Sequence, residues 1–137
     1  LSQSEAGWFI VSMHQPLYST AKGREGTKRR DAFLSVFDNH EVDLILQGHD
    51  HSFGRTYPLR NGKQVKGRQK GTVYINSVSG SKQYLLEPAI DGVFEVTGSE
   101  QQFYHVIDVQ PSKLKLSSFT VDGELKDQII IKPSRNR

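Results

Sequence analysis

The sequence predicts an α/β fold in which a strand–helix–strand unit is followed by a mostly antiparallel sheet. Two nearly continuous apolar runs, 7–13 and 42–46, have the length and composition of buried strands. Between them, Phe33, Leu34 and Phe37 recur at helical spacing. Beyond residue 100, apolar and polar residues alternate, which is typical of strands with one buried face.

Length and composition limit the classes of protein that this sequence can represent. A chain of 137 residues has the size of one domain, and we treat residues 1–137 as a single unit. Its formal net charge of +3 is too small to indicate binding to nucleic acid or to a membrane surface. The apolar runs are too short for a membrane span. The absence of cysteine excludes disulfides, thiolate zinc sites and a cysteine nucleophile.

The strand–helix–strand unit brings several histidines to one place. The strand over 7–13 ends at His14, and Thr27 is predicted to cap a helix that ends near Asn39-His40. The strand over 42–46 runs into a second histidine-containing segment, 47–51. Because strands joined through a helix run parallel, both strands deliver their histidines at the same carboxyl-terminal edge of the sheet.

The second half of the chain is predicted to consist of short strands and turns. No helical pattern is present there, and the stretch 84–99 is predicted to be irregular surface structure. In chain order, the sequence predicts a turn at 60–63, strands at 72–76, 103–109 and 113–119, a turn at Asp122-Gly123, and a last strand at 128–131.

Three histidines form the candidate metal site. His49 and His51 lie two residues apart after a strand, and in extended backbone both would point the same way. Gly48 would permit a close approach or an unusual backbone angle before them. Imidazole is a common ligand of transition metals, and His14 is expected at the same edge. Spacing alone leaves open the alternative that His49 and His51 are surface histidines in a loop.

The segments around these histidines resemble known motifs. Val11–His14, followed by Gln15-Pro16-Leu17-Tyr18, resembles the V-x-x-H block of the purple acid phosphatases. Gly48–His51 resembles the G-H-x-H block of the wider calcineurin-like metallophosphoesterase superfamily. The resemblance covers about the whole chain and corresponds to the carboxyl-terminal half of the family's catalytic domain. It implies half of a four-layer α/β/β/α sandwich, of which this chain would supply roughly one sheet.

The resemblance also implies a function, the hydrolysis of phosphate monoesters by water activated at two metal ions, with Fe, Zn or Mn expected. His14 and His49 would be ligands of one ion and His51 of the other. The family's remaining ligand motifs, an aspartate, a G-D block and a G-N-H block, do not occur in this sequence, and Asp43 and Asp50 are poor substitutes. We therefore expect the isolated chain to bind metal weakly or not at all and to be inactive.

Other polar residues are weaker candidates. Arg24 is a possible phosphate contact, with a solvated loop charge as the alternative. Arg55, after the G-H-x-H segment, is predicted to be a structural ion-pair residue. His40 at a helix end and His105 within a strand are predicted to have structural roles.

Alternative functions and partners remain open at this stage. The G-H-x-H block also suits a phosphodiesterase, a nucleotidase or a protein phosphatase of the same superfamily, and a non-catalytic β-rich binding module is the rival from another class. The expected partners are a phosphate-ester substrate and the missing amino-terminal half of the domain. Self-association is expected if that half is absent, because Trp8, Phe9 and Ile10 would lose cover. The resemblance implies an extracytoplasmic location.

Overall fold

The computed structural model describes residues 1, 3–66, 69–88 and 92–134. Within these ranges the chain forms one α-helix and ten strands. In chain order the elements are β1 (Ile10–Met13), α1 (Thr27–Asn39), β2 (Leu44–Gln47), β3 (Phe53–Thr56), β4 (Leu59–Arg60), β5 (Lys63–Gln64), β6 (Val73–Asn76), β7 (Phe94–Gly98), β8 (Phe103–Gln110), β9 (Lys113–Thr120) and β10 (Leu125–Ile131).

The strands form two main sheets and a small ribbon. The first sheet has the order β1-β2-β6-β3-β7; β1, β2 and β6 are parallel, whereas β3 is antiparallel to both of its neighbours. The second sheet is the predicted antiparallel meander, in the order β10-β9-β8. The ribbon pairs β4 with β5 around the predicted Asn61-Gly62 turn. The α/β fold class is confirmed, although the chain contributes two main sheets rather than roughly one.

The first sheet lies between the helix and the second sheet. On one face, Ile45 and Tyr74 pack with Phe37 of α1. On the other face, Leu44 and Ile75 pack with Leu114, Leu116 and other side chains of the second sheet. Each fully buried side chain of this kind contributes about 1.5–3 kcal/mol to folding. The described residues therefore form three layers: helix, mixed sheet and antiparallel sheet.

Strand β1 differs from the buried strand that the sequence predicts. It pairs with β2 on one side, and among the described residues no strand pairs with its other side. Ile10 is consequently 40% exposed, whereas Phe9 is only 6% exposed and the indole N–H of Trp8 donates a hydrogen bond to the carbonyl of Gln110. The apolar run thus marks a strand that is covered on only part of its surface.

The start of α1 also differs from the prediction. Thr27 is the first helical residue, and Gly26 occupies the N-cap position without a side-chain hydrogen bond. A Cβ atom at residue 26 would fall against the carbonyl oxygen of Pro16, so close backbone approach, rather than a capping side chain, determines the residue at this position. The helix ends at Asn39, with His40 as its C-cap, as predicted. Nowhere in the described residues does a helix combine the length and apolar character needed to cross a membrane.

The sequence analysis did not predict four strands: the two-residue strands β4 and β5, which flank the predicted turn, and the longer β3 and β7. Strand β7 lies in the stretch predicted to be irregular, of which residues 89–91 are outside the described ranges, and β3 follows the G-H-x-H segment directly. Strand β3 carries Arg55, whose side chain donates hydrogen bonds to both carboxylate oxygens of Asp127 at 2.5 and 2.8 Å and to Glu95 at 2.5 Å. Arg55 therefore joins the two sheets, consistent with its predicted structural role.

Candidate functional site

The candidate site lies at the carboxyl-terminal edge of the parallel strands. Because β1 and β2 are in register, with Met13 beside Gln47, the residues that follow them are neighbours. The amide of Gly48 donates a hydrogen bond to the carbonyl of His14 at 3.0 Å. The two imidazoles also meet, with His14 Nε2 and His49 Nδ1 3.1 Å apart and the ring centroids separated by 5.0 Å. The structure thus brings these two predicted residues together.

The turn that carries His49 and His51 is not extended. Both residues have left-handed backbone conformations, with φ of 71° and 52°, whereas Gly48 has no positive φ. The argument that the two side chains project in parallel from extended backbone is therefore wrong. Gly48, for which the sequence allowed either a close approach or an unusual backbone angle, has no positive φ, and a Cβ atom there would lie an ordinary 3.6 Å from the His14 carbonyl oxygen. A left-handed conformation is uncommon for residues other than glycine and clusters at functional sites.

His51 contacts a different segment from the His14–His49 pair. Its Nδ1 lies 3.2 Å from the carbonyl oxygen of Lys82, and its ring meets Tyr84 edge-to-face at 5.0 Å. Because a carbonyl only accepts, Nδ1 carries the proton in this hydrogen bond, and in the neutral imidazole Nε2 then has the free lone pair. A hydrogen bond of this type fixes the tautomer of histidines that ligate metals through the other nitrogen.

Asp50 lies beneath the histidines and is fully buried. Its Oδ2 accepts hydrogen bonds from the amide of Thr20 at 2.9 Å and from the side-chain amide of Asn76 at 3.1 Å. Burial raises the pKa of this carboxyl group, against the lowering effect of the Thr20 hydrogen bond. Asp50 therefore ties the loop after β1 to the ends of β2 and β6.

Arg24 extends from that loop into the site. Its guanidinium contacts Nε2 of His49, and one of its nitrogens lies 3.4 Å from the His49 carbonyl. Arg24 Nε lies 3.7 Å from Asp50 Oδ1, and neither of these two atoms has a hydrogen-bond partner within the part of the chain that the structure describes. Burial lowers the pKa of His49, and the charges of Arg24 and His14 lower it further. The space above the histidines is therefore electropositive.

An open cleft of about 370 Å³ adjoins Arg24. Its lining consists of Lys22, Gly23, Arg24, Tyr84 and Leu85. The Arg24 guanidinium carbon lies 4.9 Å from the centre of the Tyr84 ring. The sequence analysis missed Tyr84 and Leu85, because neither periodicity nor a motif distinguishes them within the stretch predicted to be irregular.

The residues present fit part of a metal centre. Three imidazoles are suitable donors for Fe, Zn or Mn, and His14 and His49 are adjacent. Across residues 1, 3–66, 69–88 and 92–134, however, no three histidine, aspartate or glutamate side chains are grouped so that they could hold an ion. The Arg24 guanidinium also contacts His49 Nε2 and therefore blocks the lone pair with which this nitrogen would bind a metal ion. A complete centre therefore requires carboxylate ligands in addition to these histidines, and displacement of Arg24.

Residues at this edge match the model of a known class of proteins. Residues 1–53 match the model of the calcineurin-like phosphoesterase family. The matched segment contains His14, Arg24, His49 and His51, together with the strand–helix–strand unit that positions them. The match confirms the resemblance that the sequence motifs indicate.

Within that class, the similar proteins include purple acid phosphatases. The chain is 42% identical over 59 residues to an uncharacterized protein of Mycobacterium tuberculosis, covering 42% of this chain and 11% of that protein. It is 38% identical over 63 residues to phosphoenolpyruvate phosphatase of Allium cepa, covering 44% and 13%. Purple acid phosphatase 21 of Arabidopsis thaliana is 37% identical over 65 residues, covering 46% and 15%. These matches span less than one sixth of each relative.

Solved structures extend the likeness to most of the fold. Purple acid phosphatase PPD1 from yellow lupin (Lupinus luteus) seeds superposes with a TM-score of 0.74 at 20% identity, covering 91% of this chain and 25% of that protein. GAP50, the anchor in the inner membrane complex of Plasmodium, superposes with a TM-score of 0.77 at 19% identity, covering 96% and 38%. At these identities the likeness shows the fold, which extends through the second sheet.

Proposed function

We propose that this chain is the histidine-bearing part of a dinuclear metallophosphoesterase that hydrolyses phosphate monoesters. The observation that carries the proposal is the contact between His14 and His49 at adjacent ends of parallel strands, within the segment that matches the phosphoesterase family. The names of two relatives, a phosphoenolpyruvate phosphatase and a purple acid phosphatase, support hydrolysis of phosphate esters.

Each residue of the site has a role in this proposal. His14 and His49 would donate imidazole nitrogens to one ion, and His51, with its Nδ1 proton on the Lys82 carbonyl, would offer Nε2 to the second. Metal ions bound there would polarise the phosphate and lower the pKa of the attacking water. Arg24, once displaced from His49, would keep its planar donors directed at the same space, where they suit two phosphate oxygens.

Activity and metal content test the proposal. A longer protein that contains this chain and carboxylate ligands is expected to hydrolyse a chromogenic phosphate ester with added divalent metal. His49→Ala is expected to remove most of the turnover and one histidine-held metal ion, as measured by elemental analysis. His40→Ala, at the end of α1, is the matched control and should retain activity. A longer protein indifferent to His49→Ala would contradict the proposal.

The isolated 137-residue chain provides the complementary experiment. We expect it to be essentially inactive and to bind metal weakly, because three neutral imidazoles do not balance the charge of two divalent ions. Tight binding of two ions per chain, or activity equal to that of the longer protein, would contradict this part of the proposal.

The partners follow from the same proposal. The substrate is a phosphate ester, and the side of β1 opposite β2 is the place where a further part of the domain would pair. Without that part, the exposed strand is expected to cause self-association, which light scattering over a range of concentrations would detect. An extracytoplasmic location belongs to the proposal through the resemblance to purple acid phosphatases.

A non-catalytic binding module is the second candidate function. The contact between Arg24 and His49 Nε2 favours it, because a guanidinium at the ligand nitrogen opposes a bound cation. Metal content separates the two functions, since a binding module purified as the longer protein would contain no stoichiometric metal. A panel of phosphate monoesters, diesters, nucleotides and phosphopeptides separates phosphatase activity from the related activities of the superfamily.

A further inference from the structure

The cleft lined by Lys22, Gly23, Arg24, Tyr84 and Leu85 has no role in holding metal, yet it adjoins the histidines. Its volume of about 370 Å³ lies within the range of about 300–1,000 Å³ that is usual for pockets holding small organic ligands. Tyr84 connects it to the site, because its ring contacts both His51 and the Arg24 guanidinium.

We propose that this cleft binds the alcohol part of the substrate and selects phosphate monoesters of aromatic alcohols over those of polar aliphatic alcohols. The inference rests on the proposed function, because it places the organic group of the same ester whose phosphate lies at Arg24 and the histidines.

The distribution of charge determines the orientation of the ester. Lys22 forms an ion pair with Glu87 at 2.8 Å, so its charge is already compensated. Arg24 contacts His49 and forms a loose ion pair with Asp50 at 3.7 Å, and among the described residues its Nε has no hydrogen-bond partner. Among the two lining cations, Arg24 is therefore the one available to a phosphate, and it lies at the histidine end of the cleft. The alcohol part of the ester then lies beside Leu85, the apolar aliphatic side chain of the lining.

Leu85 supplies the apolar part of the lining. Leu85 is 76% exposed, the largest exposed fraction among the large hydrophobic residues of the described chain. A flat aromatic group held beside Tyr84 would cover Leu85 and exclude water from it, which is favourable in proportion to the apolar area removed from water. A polar aliphatic group would need to keep its own water shell and would leave Leu85 exposed. The cleft thus complements an anion at one end and an apolar ring at the other.

Binding to the metal-free chain tests the inference without relying on turnover. Phenyl phosphate, glycerol 2-phosphate and inorganic phosphate would each be titrated into isotopically labelled chain in EDTA, with NMR shifts giving Kd. Phenyl phosphate is expected to bind about fivefold more tightly than glycerol 2-phosphate, the ratio expected from partial burial of one leucine side chain. In the wild type, only phenyl phosphate is expected to shift the Leu85 methyl resonances.

Variants identify the source of the preference. Leu85→Asn is expected to bring the two esters to within about twofold of each other, whereas Leu85→Met should keep the preference because it remains apolar. Leu125→Asn is the matched control, since Leu125 is also exposed, at 49%, but lies outside the cleft at the start of β10.

The outcomes distinguish the cleft from the proposed phosphate site. Equal affinities in the wild type, a preference that survives Leu85→Asn, or unshifted Leu85 methyls would each overturn the cleft assignment. If both esters then still lose affinity in Arg24→Gln, the proposed function stands without this subsite. If none of the three ligands binds, both the subsite and the phosphate role of Arg24 are wrong.

Discussion

The molecule contains two arginine–carboxylate pairs with very different surroundings. Between the sheets, Arg55 and Asp127 are 4% and 6% exposed and share two hydrogen bonds, with Glu95 as a further acceptor. At the histidine edge, Asp50 is equally buried, but Arg24 is 26% exposed and the closest atoms of the pair are 3.7 Å apart. Both carboxylate oxygens of Asp127 accept hydrogen bonds from Arg55. Arg24 Nε and Asp50 Oδ1, by contrast, have no hydrogen-bond partner among the described residues.

This contrast separates a structural role from a functional one. A buried polar atom without a hydrogen bond costs free energy, and native proteins retain few of them. At the histidine edge, the unsatisfied atoms lie next to two residues with left-handed backbone, and strain of this kind concentrates at ligand sites. We interpret the Arg24–Asp50 pair as one that keeps hydrogen-bonding capacity for a ligand, and the Arg55–Asp127 pair as one that serves packing alone. The following substitutions test this interpretation.

The largest effect is expected from Arg55→Met. Removing the guanidinium leaves the Asp127 carboxylate buried without its charge partner, which costs about 3–5 kcal/mol of the free energy of unfolding. Urea unfolding followed by circular dichroism gives this value. The double variant Arg55→Met/Asp127→Leu should recover much of the loss, and Arg60→Met, at an exposed arginine, is the control. A loss below about 1 kcal/mol for Arg55→Met would remove the distinction between the two pairs.

A pH-dependent effect is expected from His105, which lies on the same inter-sheet side as Arg55. Its two ring nitrogens contact Ser118 Oγ at 2.9 Å and Ser77 Oγ at 2.7 Å, and burial lowers its pKa from 6.5 to about 4, while Asp127 opposes the shift. At a pH between these two pKa values, His105 is protonated in the unfolded chain and neutral in the folded chain. Stability therefore rises with pH across this window and is lost as pH falls, by at most about 3 kcal/mol.

Unfolding measurements from pH 7 to pH 4 check the contribution of His105. The His105→Asn variant is expected to show a shallower dependence of the unfolding free energy on pH in this interval, because the titrating group is gone. An identical slope in wild type and variant would assign the pH dependence to other groups.

A smaller effect on stability is expected from Asp50→Asn. The amide oxygen still accepts from Thr20 and Asn76, and no well-formed ion pair is lost, so the unfolding free energy should change by less than about 1 kcal/mol. The exchange rate of the Arg24 side-chain N–H should increase, as measured by NMR, because the nearby carboxylate charge no longer holds it. A loss as large as that of Arg55→Met would show that the two pairs are equivalent.

The smallest effect is expected from Gly48→Ala at the histidine edge. A Cβ atom there meets the His14 carbonyl oxygen at 3.6 Å, an ordinary contact, and the backbone does not require glycine. The expected change in unfolding free energy is within about 1 kcal/mol. Gly54→Ala is the matched comparison, because its Cβ would overlap the Thr20 side chain and crowd Phe94. Equal losses for the two variants would contradict the looser packing at the histidine edge.

Much of the fold could be predicted from the sequence because the informative patterns are local. Alternation predicted β8 and β9, the Asp122-Gly123 turn predicted the last strand β10, and the two apolar runs located β1 and β2. Strand β3 was not predicted because Gly54 and Arg55 interrupt the apolar pattern of its sequence. A buried arginine is compatible with a strand only through Asp127, which lies 72 residues away, and no local pattern reports such a partner.

The location of the site could be predicted from the sequence, whereas the backbone conformation and side-chain contacts within it could not. Parallel strands alone predicted that His14 and His49 would be neighbours. The left-handed turn that separates His51 from them depends on hydrogen bonds of Asp50 and on the loop around Tyr84, which are tertiary contacts. Arg24 was identified as a candidate from its place in the loop, but its position on His49 was not.

The inter-sheet bond also constrains how the sequence can change over time. Loss of Arg55 leaves the buried Asp127 carboxylate without its charge partner, and loss of Asp127 leaves Arg55 with Glu95 alone, so each single replacement passes through a less stable intermediate. Homologues that retain this packing are therefore expected to keep both residues or to have exchanged both for apolar ones. Two positions 72 residues apart in the chain would then covary, while Arg24 and Asp50 remain free to diverge separately as the ligand changes.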